Sequence, residues 1–266
     1  MSLPTCASTE KFWDALCTRC DIETPCLPVD CDGCNAKNLI AHALGCKKGG
    51  IVTLRHDGIA NTLAQLGAQA FKPSAMRDEP HIRSRAATPR EVKAIAESMK
   101  ANKNAKNKTP PLHDSDIFTA DRGDVAIAGP WHSHTDCIID ARVTDTDQES
   151  YLKQDPAKVL SNQERSKKAK CLEPCLAQRR HFSPFVASVD GMFGREATTV
   201  AKRLAAVLAS KWQRPYSVVC SYVKSRLAID VIRSTNRCMR GSRTPSSGVK
   251  FRIIPEDGSA IIPSDW

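Results

Sequence analysis

The 266-residue sequence lacks any uninterrupted apolar run long enough to cross a bilayer, since a membrane-spanning helix needs about 20 mostly apolar residues in succession. Its first stretch, MSLPTCASTEKFW, also lacks the apolar segment that a secretory signal peptide requires. We therefore expect a protein of the nucleus or the cytoplasm that is neither secreted nor bound to a membrane.

Acidic residues are fewer than basic ones: 29 Asp and Glu stand against 39 Lys and Arg, and the formal net charge is +10. A positive excess favours a polyanionic partner, so we expect DNA, with RNA as an alternative. Hydrophobic residues at 41% and charged residues at 26% are typical of a globular protein and argue against wholesale disorder. The oligomeric state stays open.

Cysteine is abundant and unevenly distributed, because seven of the twelve cysteines precede residue 47. Such crowding in a protein of a reducing compartment indicates metal binding rather than disulfides. The pattern Cys31-x2-Cys34-x7-His42-x3-Cys46 offers three thiolates and one imidazole, which suit a closed, structural zinc site with no position left for water. A second, weaker candidate without an obvious fourth ligand consists of Cys17, Cys20 and Cys26.

The hydrophobic patterning changes along the chain. Helical periodicity predicts amphipathic helices over 59–71, 194–212 and 216–239. Short apolar runs predict strands at 124–129, 137–145 and 181–191, and Asp155-Pro156 begins a polar, basic helix over 155–173. Residues 88–116 start with a helix signal and then become a basic loop. This order predicts an α/β fold, a small mixed sheet flanked by helices, preceded by a small zinc knuckle.

Two aspartates with fifteen residues between them, Asp124 and Asp140, begin one predicted strand and lie within the next. On an antiparallel hairpin their carboxylates would meet at one end of the sheet and hold Mg²⁺, which can activate water and neutralise a phosphodiester. Arg142 would lie on the same strand face as Asp140 and stabilise the transition state, and Glu79 could add a third acid. An equally simple interpretation is a structural ion pair between Asp140 and Arg142.

Several segments, taken in order from about residue 9 to 243, resemble the region downstream of the polymerase domain in retrotransposon reverse-transcriptase proteins. They include FWDAL, AHALGCKKGG, GDVAIAGPW, IIDARV and SPFVASVDGMFGREA. The resemblance implies a zinc knuckle followed by a restriction-like, PD-(D/E)xK-type endonuclease that nicks DNA. The knuckle ligands then fall on Cys31, Cys34, His42 and Cys46. The catalytic acids fall on Asp124 and Asp140, the usual lysine falls on Arg142, and Gln163 and Lys167 fall on a basic helix lining the active site.

The chain departs from that family at several positions. Arg142 keeps the charge of the usual lysine, but its guanidinium is flat and cannot lose a proton. Gly58 stands where an acid is expected after Arg55-His56, and Arg122-Gly123 occupies an Arg-Pro or Lys-Pro position. The sequence has no polymerase palm and no Tyr-x-Asp-Asp motif, so we expect a fragment or a domesticated remnant of an element.

These observations predict a Mg-dependent, retroelement-derived DNA endonuclease fragment with structural zinc. One alternative is a non-catalytic zinc-knuckle module that binds nucleic acid. A second is a JAMM-like zinc isopeptidase using His132, His134 and Asp145, although Arg142 occupies its serine position. The predicted division of the chain is an upstream remnant (1–25), a CCHC zinc knuckle (26–56), the nuclease domain (57–215), a C-terminal helical segment (216–243) and a flexible tail (244–266).

Overall fold

The computed structural model describes residues 9–20, 22–93 and 118–241. The predicted tail 244–266 and most of the predicted basic loop 88–116 lie outside the described residues. Within the described ranges, no helix combines the length and the apolarity that a bilayer crossing requires.

In the described part of the chain, the candidate sites are positioned by six helices and six strands. The helices are α1 (Thr9–Arg19), α2 (Ile40–Gly45), α3 (Ile51–Ala70), α4 (Pro156–Ala177), α5 (Arg195–Trp212) and α6 (Tyr216–Arg240). The strands are β1 (Met76–Asp78), β2 (His81–Ala86), β3 (Phe118–Arg122), β4 (Val125–Ala128), β5 (Asp136–Thr144) and β6 (His181–Ser188).

The main sheet has four strands in the order β1-β4-β5-β6, and the sheet is mixed. Strands β4 and β5 form the predicted antiparallel hairpin, whereas β5 and β6 are parallel. Parallel neighbours need a crossover connection, and α4 provides it. Strands β2 and β3 form a separate two-stranded antiparallel ribbon. The predicted mixed α/β class with a small sheet flanked by helices is therefore confirmed.

The two faces of β5 meet different layers of the protein. Ile139 and Ala141 point into the main core, which contains apolar residues of α3, α5 and α6. Ile138 points to the opposite face and packs with Cys171 and Cys175 of α4. Because side chains alternate along a strand, Asp140 and Arg142 share the α4 side of the sheet with Ile138.

Helix α1 is fixed to the same body by a buried acid. The Asp14 side chain is 1% exposed and accepts hydrogen bonds from Arg240 of α6, with N···O distances of 2.6 and 2.8 Å. Asn236, one turn earlier on α6, donates a further hydrogen bond to Asp14. The described part of the predicted upstream remnant thus packs on the C-terminal helix.

Most of the predicted elements agree with the structure to within a few residues, but α3 does not. It begins at Ile51 instead of residue 59, so one continuous helix runs through the predicted boundary between residues 56 and 57. Gly49 and Gly50 precede it with φ values of 73° and 71°, a left-handed backbone that glycine adopts without a steric penalty. Gly58 faces α6, where a Cβ atom would lie 2.9 Å from Ser234 Oγ.

Candidate functional site

The four residues with zinc-ligand spacing converge in space. Cys31 and Cys34 lie in a tight turn in which Asn35 N donates to Cys31 O at 2.7 Å and Asn35 has a φ of 58°. His42 lies on α2, and Cys46 is the residue that ends this helix. One ligand atom from each of the four residues lies within 4.8 Å of the other three.

The spacing of these atoms fits a tetrahedral ion. The Sγ atoms of Cys31 and Cys46 are 3.7 Å apart, and those of Cys46 and Cys34 are 3.9 Å apart. Two sulfurs bound to one tetrahedral zinc at 2.3 Å would be separated by about 3.8 Å. His42 Nε2 lies 3.2 Å from Cys34 Sγ. The cluster could therefore bind zinc.

The local electrostatics favour a thiolate at Cys31. Burial alone would raise the pKa of this thiol, but hydrogen bonds from His42 and from the backbone N–H groups of Gly33 and Cys34 outweigh it and lower the pKa to about 6. The thiolate is the form that binds metal. By contrast, Cys17, Cys20 and Cys26 do not form a candidate metal cluster among the described residues.

The second cluster lies where β4 begins. Asp124 immediately precedes β4, and its backbone N–H donates to Ile139 O at 3.0 Å. Its carboxylate accepts a hydrogen bond from Ala141 N at 2.5 Å. This brings Asp124 beside Asp140, and each of the two offers a carboxylate oxygen within 4.8 Å of the other and of a ring nitrogen of His56.

Lys167 and His56 approach this pair of acids from different helices. Lys167 Nζ of α4 lies 2.6 Å from Asp140 Oδ1 and 3.2 Å from Ala141 O. His56 Nε2 of α3 lies 3.1 Å from Asp124 Oδ2. Strand β4 pairs with β5 only as far as Ile139, so from Asp140 onward this edge of β5 has no described strand beside it.

The pair of acids alters the pKa values around it. The hydrogen bond to Asp124 raises the pKa of His56 to about 9 despite partial burial, so this imidazole is cationic at neutral pH. Burial raises the pKa of Asp140, and the charge of Asp124 adds to this shift while Lys167 opposes it. A buried carboxyl group whose pKa is raised, as for Asp140, is one that a bound cation would stabilise in its charged form.

Two predicted site residues lie outside this cluster. Arg142 shares a face with Asp140 but is exposed, and no described residue forms a hydrogen bond or an ion pair with its side chain. Lys167, and not Arg142, is the cation paired with Asp140. Glu79 follows β1 with a φ of 44° and has an exposed side chain. Its backbone N–H donates to Asp124 O, but its carboxylate is not among the potential metal ligands that Asp124, Asp140 and His56 provide.

His56 is the member of the cluster that the sequence prediction lacked. It is 68 positions from Asp124 in the chain and on a helix, so no local spacing relates the two residues. The available signal was the Arg55-His56 pair, which the resemblance to retrotransposon proteins singles out and which lies just before the predicted helix over 59–71. In the structure the neighbouring Arg55 is buried.

The residues of the isopeptidase alternative are not brought together. His132 and His134 lie in the exposed loop before β5, and Asp145 follows the far end of that strand. Nine strand residues at about 3.3 Å each keep these groups far apart. His132 instead lies 2.8 Å from His181 Nε2 through its Nδ1 atom. The arrangement required for two histidines and an aspartate on one zinc is absent from these residues.

Comparison with models of known protein families gave no match. Comparison with functionally characterised proteins gave no match either.

Proposed function

We propose that this protein is a metal-dependent endonuclease of restriction-like fold that hydrolyses DNA phosphodiesters, with a structural zinc knuckle before the nuclease fold. The observation that carries the proposal is the cluster of Asp124, Asp140 and His56 within 4.8 Å, with Lys167 paired to Asp140. The family resemblance of the sequence supports a retroelement origin and a place in the nucleus or cytoplasm.

The donor atoms of this cluster suit a divalent cation of the Mg²⁺ or Mn²⁺ type. Asp124 and Asp140 offer carboxylate oxygens, the ligands such cations prefer, and His56 would offer an imidazole nitrogen to Mn²⁺ only after losing the proton that it donates to Asp124. When bound, the ion would supply Lewis-acid polarisation of a phosphoryl oxygen and a more acidic water. The side chains of Asp124 and Asp140 are 16% and 11% exposed, so both carboxylates are largely buried but not sealed from solvent.

Lys167 takes the role that the sequence assigned to Arg142. Its ammonium group is fixed by two contacts, to Asp140 Oδ1 and to Ala141 O, and it lies beside the carboxylate that would hold the ion. A cation held there can stabilise the negative charge that develops on a phosphodiester during hydrolysis, and a preorganised charge of this kind contributes strongly to catalysis.

The experiment is a plasmid-nicking assay with Mg²⁺ or Mn²⁺ on the zinc-loaded protein. Nicking by the wild-type protein should be lost in Asp124→Asn and Asp140→Asn, and it should fall about 100-fold in Lys167→Ala, as expected for loss of a preorganised charge. Lys168→Ala is the matched control, since its ammonium group lies one residue away and pairs with Glu196 instead. Equal loss in Lys167→Ala and Lys168→Ala would contradict the role assigned to Lys167.

One observation favours a second candidate, a non-catalytic module that binds nucleic acid. Both carboxylates already have cationic partners from the protein, because His56 is paired with Asp124 and Lys167 with Asp140. Such internal neutralisation could replace a metal ion altogether. Duplex binding without nicking at any Mg²⁺ or Mn²⁺ concentration, by a folded and zinc-loaded protein, would establish the module and refute the nuclease.

A further inference from the structure

A second charged network lies beside the candidate active site and is centred on a buried acid. The Asp121 side chain of β3 is 4% exposed and contacts three cations. Arg83 Nε and Arg85 Nε of β2 each donate to it at 3.0 Å, and Lys170 Nζ of α4 lies at 3.0 Å. One buried carboxylate thus aligns cations from a ribbon and a helix.

The three cations are not equivalent, because Arg85 already uses four of its five N–H donors. Its Nη1 and Nη2 atoms donate to both oxygens of Glu91 at 2.9 and 2.7 Å, and Glu91 is fixed by the backbone and hydroxyl of Thr88. Arg83 uses only Nε for Asp121, and no described residue bonds its Nη atoms. The side chains of Arg83 and Lys170 are 42% and 55% exposed, so their unused donors face solvent.

The network is adjacent to the acid cluster along two elements. Lys170 follows Lys167 by three residues on α4, an axial rise of about 4.5 Å, and both point to the sheet side of the helix. Asp121 precedes Asp124 by three residues. Consecutive phosphates of one DNA strand are offset by about 3.4 Å along the duplex axis, which is of the same order as the rise from Lys167 to Lys170. A strand held with one phosphodiester at Asp124 and Asp140 would therefore place a neighbouring phosphate near Arg83 and Lys170.

We propose that Arg83 and Lys170 form a phosphate-binding site for the phosphodiester next to the one at the acid cluster, with Arg85 and Asp121 as positioning residues. The proposal deepens the nuclease function and rests on it for the identity of the ligand. A guanidinium presenting two unused N–H groups beside an ammonium matches phosphate oxygens. The buried carboxylate aligns both groups before binding, which lowers the entropic cost of binding.

The test measures binding of a fluorescent duplex of about 30 base pairs to the full zinc-loaded chain, without added Mg²⁺ or Mn²⁺. Each neutralised phosphate makes the slope of log affinity against log salt more negative by about 0.9. The Arg83→Gln/Lys170→Gln variant loses one phosphate contact, so the magnitude of its slope should be smaller by about 0.9. Between about 50 and 200 mM salt, the wild-type protein should lose about 3.5-fold more affinity than this variant.

Lys202→Gln is the matched control, because Lys202 is an exposed lysine on α5, across the sheet from α4. The salt slope of Lys202→Gln should equal that of the wild-type protein, because this substitution removes one positive charge but no phosphate contact. The reduced slope of the other variants would then not result from net charge alone. If the double variant unfolds, Lys170→Gln suffices, since Arg83 and Arg85 still neutralise Asp121, and the magnitude of its slope should decrease by at most about 0.9. An unchanged slope in a folded Lys170→Gln protein would overturn the proposal.

Parallel nicking assays separate this inference from the proposed function. Nicking by the wild-type protein with identical salt slopes for all variants would overturn the phosphate site and leave the nuclease intact. A reduced slope without nicking would support the phosphate site and refute the nuclease. Inorganic phosphate at constant ionic strength should not displace the duplex. Displacement that depends on Arg83 and Lys170 would identify a site for free anions and overturn the assignment to nucleic acid.

Discussion

The pKa of Asp121 gives a stability prediction that can be worked out from the structure. Burial would raise this pKa, but hydrogen bonds from Arg83, Lys170 and Arg85 outweigh burial and lower it from 3.8 to about 2. At 1.36 kcal/mol per unit, the difference corresponds to about 2 kcal/mol of folding free energy. Because the folded-state pKa is depressed, this stabilisation is fully present above pH 3.8 and disappears as the pH falls through about 2.

The substitution Asp121→Asn keeps the size of the side chain and removes its charge. We expect it to lower the free energy of unfolding by about 2 kcal/mol near neutral pH, since three cations then lose their shared acid. Urea unfolding of both proteins, followed by circular dichroism from about pH 7 down to about pH 3, measures the difference. The difference should be constant near neutrality and should shrink once the pH falls below 3.8.

Asp136→Asn is the control, because Asp136 pairs with a single arginine, Arg77, whose side chain is 56% exposed. Ion pairs with such exposed partners contribute about 0–1 kcal/mol. If the free energies of unfolding of the wild-type protein and Asp121→Asn differ by the same amount at neutral and at acid pH, the proposed electrostatic stabilisation is refuted. It would mean that the substitution acts through packing and that the three cations do not stabilise the charge of Asp121.

Three further predictions follow from other buried contacts. The purified protein should carry one zinc ion per chain by atomic absorption. Cys31→Ser should release the zinc and lower the melting temperature, because α2 packs through Leu44 on the C-terminal helix and metal binding contributes folding free energy. Asp14→Ala should lower the free energy of unfolding by about 1–3 kcal/mol in urea, since Asn236 and Arg240 lose a buried acceptor while Arg240 keeps its hydrogen bonds to backbone carbonyls. A loss below about 1 kcal/mol would show that α1 is only loosely attached. Gly194→Ala should destabilise by about 1–3 kcal/mol, because the new Cβ meets the Glu164 carboxylate, which accepts from Glu196 N at the start of α5. In a Glu164→Ala background, Gly194→Ala should lower the free energy of unfolding by less, because the clashing carboxylate is absent.

The sequence predicts best what depends on neighbouring residues. The four zinc-ligand positions lie within sixteen consecutive residues, so their spacing alone restricts where the side chains can meet. The strands β4, β5 and β6 are apolar runs because they are buried in the sheet. The start of α3 could not be found in this way. Its first turns contain polar residues that interrupt the apolar pattern, and one of them, His56, lies beside Asp124 and Asp140.

Contacts between segments that are distant in the sequence could not be predicted from residue spacing or alternation. Alternation along β5 correctly places Asp140 and Arg142 on one face, but it cannot say which helix crosses that face or at what height. Arg142 lies past the last residue of β5 that β4 covers, and it is exposed. The cation that meets Asp140 comes instead from α4, and its position depends on how the whole crossover packs.

The lysines of α4 show how helix packing determines such contacts. In the sequence, the run Ser-Lys-Lys-Ala-Lys predicts a single basic patch. In the structure each lysine meets a different acid: Lys167 pairs with Asp140, Lys168 with Glu196 and Lys170 with Asp121. Successive residues of a helix are rotated by about 100°. Positions 167 and 170 therefore share the side that faces the sheet, while position 168 turns towards α5. Charges that look interchangeable thus serve three separate sites, and a substitution at one of them should not be rescued by its neighbour.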